Sequence, residues 1–232
     1  MKKDFRVAFF TIALALMGAS AFADVGLDGW WRPSGKTCPA TPGYRQPAAW
    51  AAGQYVVLGR SVNGKRESVS RTLVVGKRGV DWVLETWTVN AKGEEDLVQV
   101  ELSGYDEFLA TGDASGIDVV RIIRKDKSGK VTVMEKGRLA VFGDVMRQFY
   151  RKMVDAAPAY EDGGAVTVPG GAFAGTRKAA TSFTMFGVAF RFTSWYNGAI
   201  PVDGVVRTVS QDGKNVTELL AFGTDGKPRL QE

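Results

Sequence analysis

The feature that most limits what this chain can fold into is a series of short, β-rich segments separated by glycine turns. Segments 55–58, 69–75, 80–89, 97–102, 117–124 and 131–134 have the length of strands and are rich in β-branched and aromatic residues. Between them, Asn63-Gly64-Lys65 carries an Asn-Gly pair that tolerates positive φ at both central positions of a hairpin turn, and Asp212-Gly213-Lys214 carries the Asp-Gly equivalent further on. Lys92-Gly93 and Ser128-Gly129-Lys130 are variants of the same device. Hairpins need only such connections, whereas parallel strands need crossovers of a dozen or more residues for which the spacing leaves no room. The chain therefore reads as an antiparallel meander, α+β and mostly β. The turns do not make a sequence repeat, because the strands between them share no period.

A second aromatic section spans 166–223. From Met185 to Tyr196, Phe186, Val188, Phe190 and Phe192 form one face at period two, while Gly187, Ala189, Arg191 and Thr193 form the other, which predicts one long half-buried strand. Asn197-Gly198 and Pro201 stop it, and Asp203-Gly204 opens a new strand at Val205. One segment departs from period two. Phe142, Val145, Met146, Phe149 and Met153 fall at i, i+3, i+4, i+7 and i+11, with Arg147, Gln148 and Arg151 opposite and Asp144 placed to cap the start. This spacing predicts an amphipathic helix, ended by Pro158, whose apolar side has only the sheet to cover. Val98, Val100 and Leu102 alternate with Gln99 and Glu101, as in a sheet wet on one side. In 80–89, by contrast, Trp82 and Leu84 point one way and Val83, Trp87 and Val89 the other. There the sheet is either covered on both sides or presents an open hydrophobic face to a ligand.

At the start, Lys2, Lys3 and Arg6 precede an apolar run at 7–19, and Ala21-Phe22-Ala23 supplies a small-x-small cleavage pattern. The run falls short of the ~20 residues a spanning helix needs. Residues 1–23 are thus expected to be a cleaved signal peptide, leaving 209 residues with a net charge of +3, against +5 for the whole chain. That length suits one domain, 50–232, preceded by a Pro/Gly-rich segment, 24–49, with little regular structure, whose Trp30, Trp31 and Tyr44 are free to pack back onto the domain edge. Export points to the periplasm, with an extracellular location as the alternative.

The remaining composition narrows the chemistry. Basic residues such as Arg60, Lys65, Arg71, Lys77, Arg121 and Lys127 are scattered instead of forming the stripe of a nucleic-acid binder. Peripheral contact of a basic rim with anionic lipid stays open. With no histidine and a single cysteine, Cys38, the chain has no intramolecular disulfide, no His-based zinc site and no Ser-His or Cys-His pair. Cys38 follows polar Ser34-Gly35-Lys36-Thr37 and reads as an inert thiol, not a lipidation site. Glu94, Glu95 and Asp96, and Glu161 with Asp162, sit in glycine-flanked turns that favour solubility over catalysis. Neither a Gly-x-Ser-x-Gly elbow nor a phosphate-binding loop is present. No catalytic residue, metal or cofactor is expected, and nothing here sets an oligomeric state.

The order of motifs is informative. Trp50-Ala51-Ala52-Gly53-Gln54-Tyr55 leads into Asn63-Gly64-Lys65; Val168-Pro169-Gly170-Gly171-Ala172-Phe173 is followed by the strand ending Trp195-Tyr196, then Pro201-Val202-Asp203-Gly204-Val205 and a closing Leu219-Leu220-Ala221-Phe222-Gly223. In this order the chain resembles exported bacterial proteins similar to the lipoprotein-carrier (LolA/LolB-like) superfamily. The resemblance implies a strongly curved antiparallel sheet, a half-barrel of about ten or eleven strands, with one helix over its concave face and a cavity that accepts acyl chains. It carries over no catalytic residue. The residues expected nearest such a cavity are Trp82, Trp87, Met146, Phe149, Met153, Phe190, Phe192 and Trp195. An apolar cavity of this kind holds a lipid, an acyl chain or a lipidated partner by burial alone. A structural or protein-interaction module whose helix fills the cavity is the alternative, and a hydrolase using paired carboxylates is a third reading.

Overall fold

The computed structural model describes residues 27–41, 48–135, 137, 139, 144, 147, 151, 160–185 and 188–230, and the side chains of 183–185 and 188–190 are outside that description. Among the described residues twelve strands form one sheet: β1 (Thr37–Cys38), β2 (Tyr55–Val62), β3 (Lys65–Arg78), β4 (Asp81–Asn90), β5 (Glu95–Ser103), β6 (Asp118–Lys125), β7 (Val131–Glu135), β8 (Glu161–Val168), β9 (Gly171–Met185), β10 (Val188–Tyr196), β11 (Val205–Ser210) and β12 (Asn215–Gly223). Their order is β1-β9-β10-β11-β12-β2-β3-β4-β5-β6-β7, with β8 also paired to β9. All pairings are antiparallel except β1 with β9. The fold is α+β and mostly β, with an open sheet.

The turn chemistry is met in full at Asn63-Gly64, whereas at Asp212-Gly213 only the glycine takes positive φ, 70°. Asn63 and Gly64 both take positive φ, 50° and 75°, and join β2 to β3 with Val62 paired to Lys65. The long strand expected from Met185 to Tyr196 is corrected: Met185 ends β9 and is paired antiparallel with Val188, the first residue of β10. A period-two pattern cannot distinguish one strand from two joined by a two-residue connection, and the small Gly187 was the only local sign of a break. The segment 24–49 also holds more structure than expected. Leu27–Trp31 is a 3-10 turn, and Thr37 and Cys38 add a parallel rung beside Ala172 and Phe173. The helix expected over 142–153 lies almost wholly outside the described residues, although Asp144, Arg147 and Arg151 are helical.

A helix that the periodicity did not announce is α1 (Tyr105–Thr111), seven residues between two left-handed glycines, Gly104 and Gly112, each with φ 76°. Tyr105 and Phe108, three apart on one side, are both buried. Gly104 is also a close approach, since a Cβ there would lie 2.2 Å from the carbonyl oxygen of Gly116.

The sheet is curled between β9 and β12. Three strand spacings would separate these strands by ~14 Å in a flat sheet. Instead the Gly170 amide donates to the Leu219 carbonyl at 2.7 Å, and the Phe173 and Phe222 rings stand 6.5 Å apart. Phe173, Leu219 and Phe222 all belong to the larger apolar cluster, so that cluster lies on the inside of the curl. A smaller cluster of Val57, Val69, Trp87, Leu97 and Leu220 occupies the other face of the central strands, beneath Trp30, Trp31 and Leu230. Trp31 is seated directly on β2: a Cβ on Gly59 would fall 2.5 Å from its indole, so only glycine leaves room for it.

Candidate functional site

The inner face is built on aromatic rings from three elements. Trp50, in the approach to β2, stacks on Tyr105 of α1 with centroids 3.5 Å apart and planes 7° from parallel, and meets Trp82 of β4 edge-on at 5.9 Å. Each ring has its polar atom satisfied. The Trp50 indole N–H donates to the Val202 carbonyl at 3.1 Å, the Tyr105 hydroxyl donates to the Ala48 carbonyl at 2.7 Å, and the Trp82 indole N–H donates to Asp106 Oδ1 at 2.8 Å. Lys77 Nζ is hydrogen-bonded to Asp106 Oδ2 at 2.5 Å and lies 5.0 Å over the Trp82 ring. The Lys77 hydrogen bond, and then that of Trp82, hold the Asp106 carboxyl below its ordinary range. Around the rings, Phe108, Leu102, Val119, Leu139, Phe173 and Leu219 are buried in the same cluster. Leu139 brings the chain after β7 onto this face. Further along, Arg147 donates to the Ile117 carbonyl at 3.1 Å, approaches Asp118 Oδ1 at 3.6 Å and pairs with Asp144, which ties the helical positions to the start of β6.

One end of the inner face is closed by the loop 197–204, which places Ile200 and Val202 in the cluster. Asn197, fully buried, holds it there by donating to the carbonyls of Pro39 and Gly175 at 3.0 and 2.8 Å and accepting from the Ala199 amide at 2.9 Å. Val202 has φ 69°, an unfavourable value for a β-branched residue. Asp203 accepts from the Val205 amide at 3.0 Å, and burial pushes its carboxyl up to about 6. The folded protein therefore holds this proton more tightly than the unfolded chain does. The linked stability is highest below the ordinary carboxyl range, declines as pH rises through about 6, and is lower by at most about 3 kcal/mol above it. Asp203→Asn, which keeps an oxygen for the Val205 amide, is expected to flatten this part of the profile and raise stability at pH 8, read from urea unfolding at pH 4.5, 6 and 8.

The residues predicted to line one cavity are divided between faces. Trp82 and Trp195 join the inner cluster, whereas Trp87 belongs to the outer one, five positions along β4 from Trp82 and hence on the opposite side. Phe192 is three positions from Trp195 on β10 and also points away from it. Met146, Phe149, Met153 and the side chain of Phe190 lie outside the described residues. Trp50, Tyr105 and Phe108 are inner-face residues that the sequence reading missed. Trp50 opens a motif but stands outside any strand, and α1 is too short for its period to register.

The outer face corrects another expectation. Gln99 and Glu101 are buried, not wet. Glu101 accepts from Arg78 Nη1 at 2.6 Å, and Gln99 donates to Glu85 and to the carbonyl of Leu230, both at 3.1 Å. An open groove of about 540 Å³ is bordered by Leu27, which packs against the outer cluster, and by Asp28, Gly64, Lys65, Arg66 and Ala91. Among the described residues no three of Cys, Asp and Glu gather into a group that could hold a metal ion.

Comparison with family models and with curated proteins finds no match. Among solved structures, the chain is similar to a candidate exported protein with a YmcC-like fold from Bacteroides fragilis NCTC 9343, at 12% identity over 75% of this chain and 96% of that one, with a TM-score of 0.35. At that score the likeness adds nothing to the topology described above.

Proposed function

We propose that this chain is an exported, non-enzymatic binding protein for an apolar ligand (a lipid, an acyl chain or a lipidated partner), related to the LolA/LolB-like carriers. The observation that carries the reading is the aromatic inner face of an open, curled sheet, bordered by Trp82 and Trp195. The sequence sets a Met- and Phe-rich amphipathic pattern, 142–153, in the connection between β7 and β8. Methionine side chains are adaptable, so such a cover can repack around different chains. Each methylene withdrawn from water contributes ~0.8 kcal/mol, so an acyl chain binds here without a specific hydrogen bond.

The second reading, an envelope interaction module with a filled core, is favoured by the tight packing of this face: Phe108, Ile117, Leu139 and Leu219 are all fully buried. Native mass spectrometry of the protein purified from its exported form, with extraction of bound lipid, separates the two. A stoichiometric acyl species, lost in a Phe149→Glu variant with native near-UV circular dichroism, supports the carrier. An empty protein that also takes up no fluorescent fatty acid rejects it in favour of the module.

A further inference from the structure

The outer face carries a site that the apolar-ligand reading does not use. After β12 the chain leaves the sheet and crosses the outer face of β3, β4 and β5 as an irregular segment, 227–230, with the sequence Lys-Pro-Arg-Leu and a bend at Arg229 that turns two successive amides the same way. Residues of the sheet receive it in two rows set by register: Glu85 lies beside Gln99 in one, and Trp87 lies between Arg71 and Leu97 in the next. The fully buried Glu85 carboxylate accepts the Arg229 amide on both oxygens at 2.9 Å and the Leu230 amide on Oε2 at 2.9 Å. Arg71 Nη2 donates to the Lys227 carbonyl at 3.0 Å and Gln99 Nε2 to the Leu230 carbonyl at 3.1 Å. The Arg229 guanidinium lies 4.1 Å over the Trp87 ring, and Leu230 packs into the outer cluster.

These contacts read a peptide, not merely a covering surface. Amides and carbonyls of the segment are matched by side chains of opposite hydrogen-bonding sense, the aromatic face takes the cation, and the apolar cluster takes the aliphatic residue that follows. Pro228 fixes its own φ and biases Lys227 to extended backbone, so the segment gives up little freedom on docking. A cover selected for stability alone would favour apolar contacts, because a buried carboxylate carries a desolvation cost that well-packed hydrophobic residues avoid.

We propose that Arg71, Glu85, Trp87 and Gln99 form a peptide-recognition site for a Pro-Arg-aliphatic segment of a partner protein, bent at the Arg so that two successive amides meet Glu85, which the chain's own residues 227–230 fill in cis. The site lies on the face opposite the proposed lipid surface, so either assignment stands without the other.

The test uses the full chain carrying Arg229→Ala and Leu230→Ala, which weakens the internal ligand and leaves the four site residues intact. A fluorescein-labelled peptide Asp-Gly-Lys-Pro-Arg-Leu-Gln-Glu is titrated into this variant and into the wild type, followed by anisotropy. The variant is expected to bind it saturably and at least tenfold more tightly than the wild type, whose own segment competes. A peptide N-methylated at the Arg and Leu amides, which cannot donate to Glu85, is expected to lose at least tenfold. A natively folded variant that binds no better than the wild type, or equal binding of the methylated peptide, overturns the proposal. Hydrogen exchange on the wild type decides the matter should the variant fail to fold. Arg229 and Leu230 amides that exchange faster than those of β4 support a segment that leaves its site, and exchange only through global unfolding overturns it.

Discussion

Glu85→Ala is expected to lower the unfolding free energy by about 3–5 kcal/mol, the range for breaking a buried charge pair by removing one member. The carboxylate has no exposed surface and takes hydrogen bonds from four donors: Arg71, Gln99 and the amides of Arg229 and Leu230. Its removal takes the carboxylate from Arg71, whose side chain is only 17% exposed and keeps the Lys227 carbonyl, and leaves two backbone amides facing an emptied site. Glu85→Gln is expected to cost less, about 1–3 kcal/mol, because one oxygen still accepts while the new NH2 group confronts donors. Urea unfolding measures both. Limited proteolysis with trypsin adds a local readout, since the Arg229–Leu230 bond becomes accessible in the alanine variant well before the sheet unfolds, whereas Lys227 is shielded from cleavage by Pro228. A cost below 1 kcal/mol for Glu85→Ala would mean that water replaces the lost partners and that the segment is not anchored through this residue.

The way Glu85 is satisfied also explains which parts of the molecule were legible in the sequence. Hairpins were legible because Asn63-Gly64 demands a backbone geometry few other residues tolerate, and the structure gives both residues positive φ. The opposed directions of Trp82 and Trp87 were legible too, since alternation along a strand is a matter of parity. The error was to let both residues serve one cavity. What alternation could not reveal is whether a polar face is wet. Gln99 and Glu101 have the pattern of a solvated face, yet long-range partners bury them: Arg78 from β3, and a segment 131 positions away for Gln99. Residue type reports a preference for water or for a partner, and sequence distance hides the partner. The same holds for α1. Its ends are specified by glycines at 104 and 112, but Tyr105 and Phe108 make only a single i, i+3 pair, too short a stretch to show a helical period.

The second large effect is expected at Trp50. Trp50→Ala removes an 8% exposed indole that stacks on Tyr105 and meets Trp82 edge-on, and truncation of a buried Trp costs about 3–5 kcal/mol. The indole N–H also holds the carbonyl of Val202, a residue whose φ of 69° stores about 1–3 kcal/mol of backbone strain. That strain persists because the Val202 side chain is buried in the inner cluster and its carbonyl is fixed. Loss of Trp50 removes one of the two restraints, so loop 197–204 is expected to loosen along with the ring stack. Trp50→Phe, which keeps a stacking ring but no donor, isolates the hydrogen bond at about 1–2 kcal/mol. Val202→Gly relieves the strain while deleting a buried side chain, two effects of opposite sign. In a double-mutant cycle, Trp50→Ala with Val202→Gly is expected to cost at least 0.5 kcal/mol less than the sum of the single changes, because the glycine variant has less strain for Trp50 to restrain. Strict additivity would separate the two roles and leave Trp50 as a packing residue of the inner face alone.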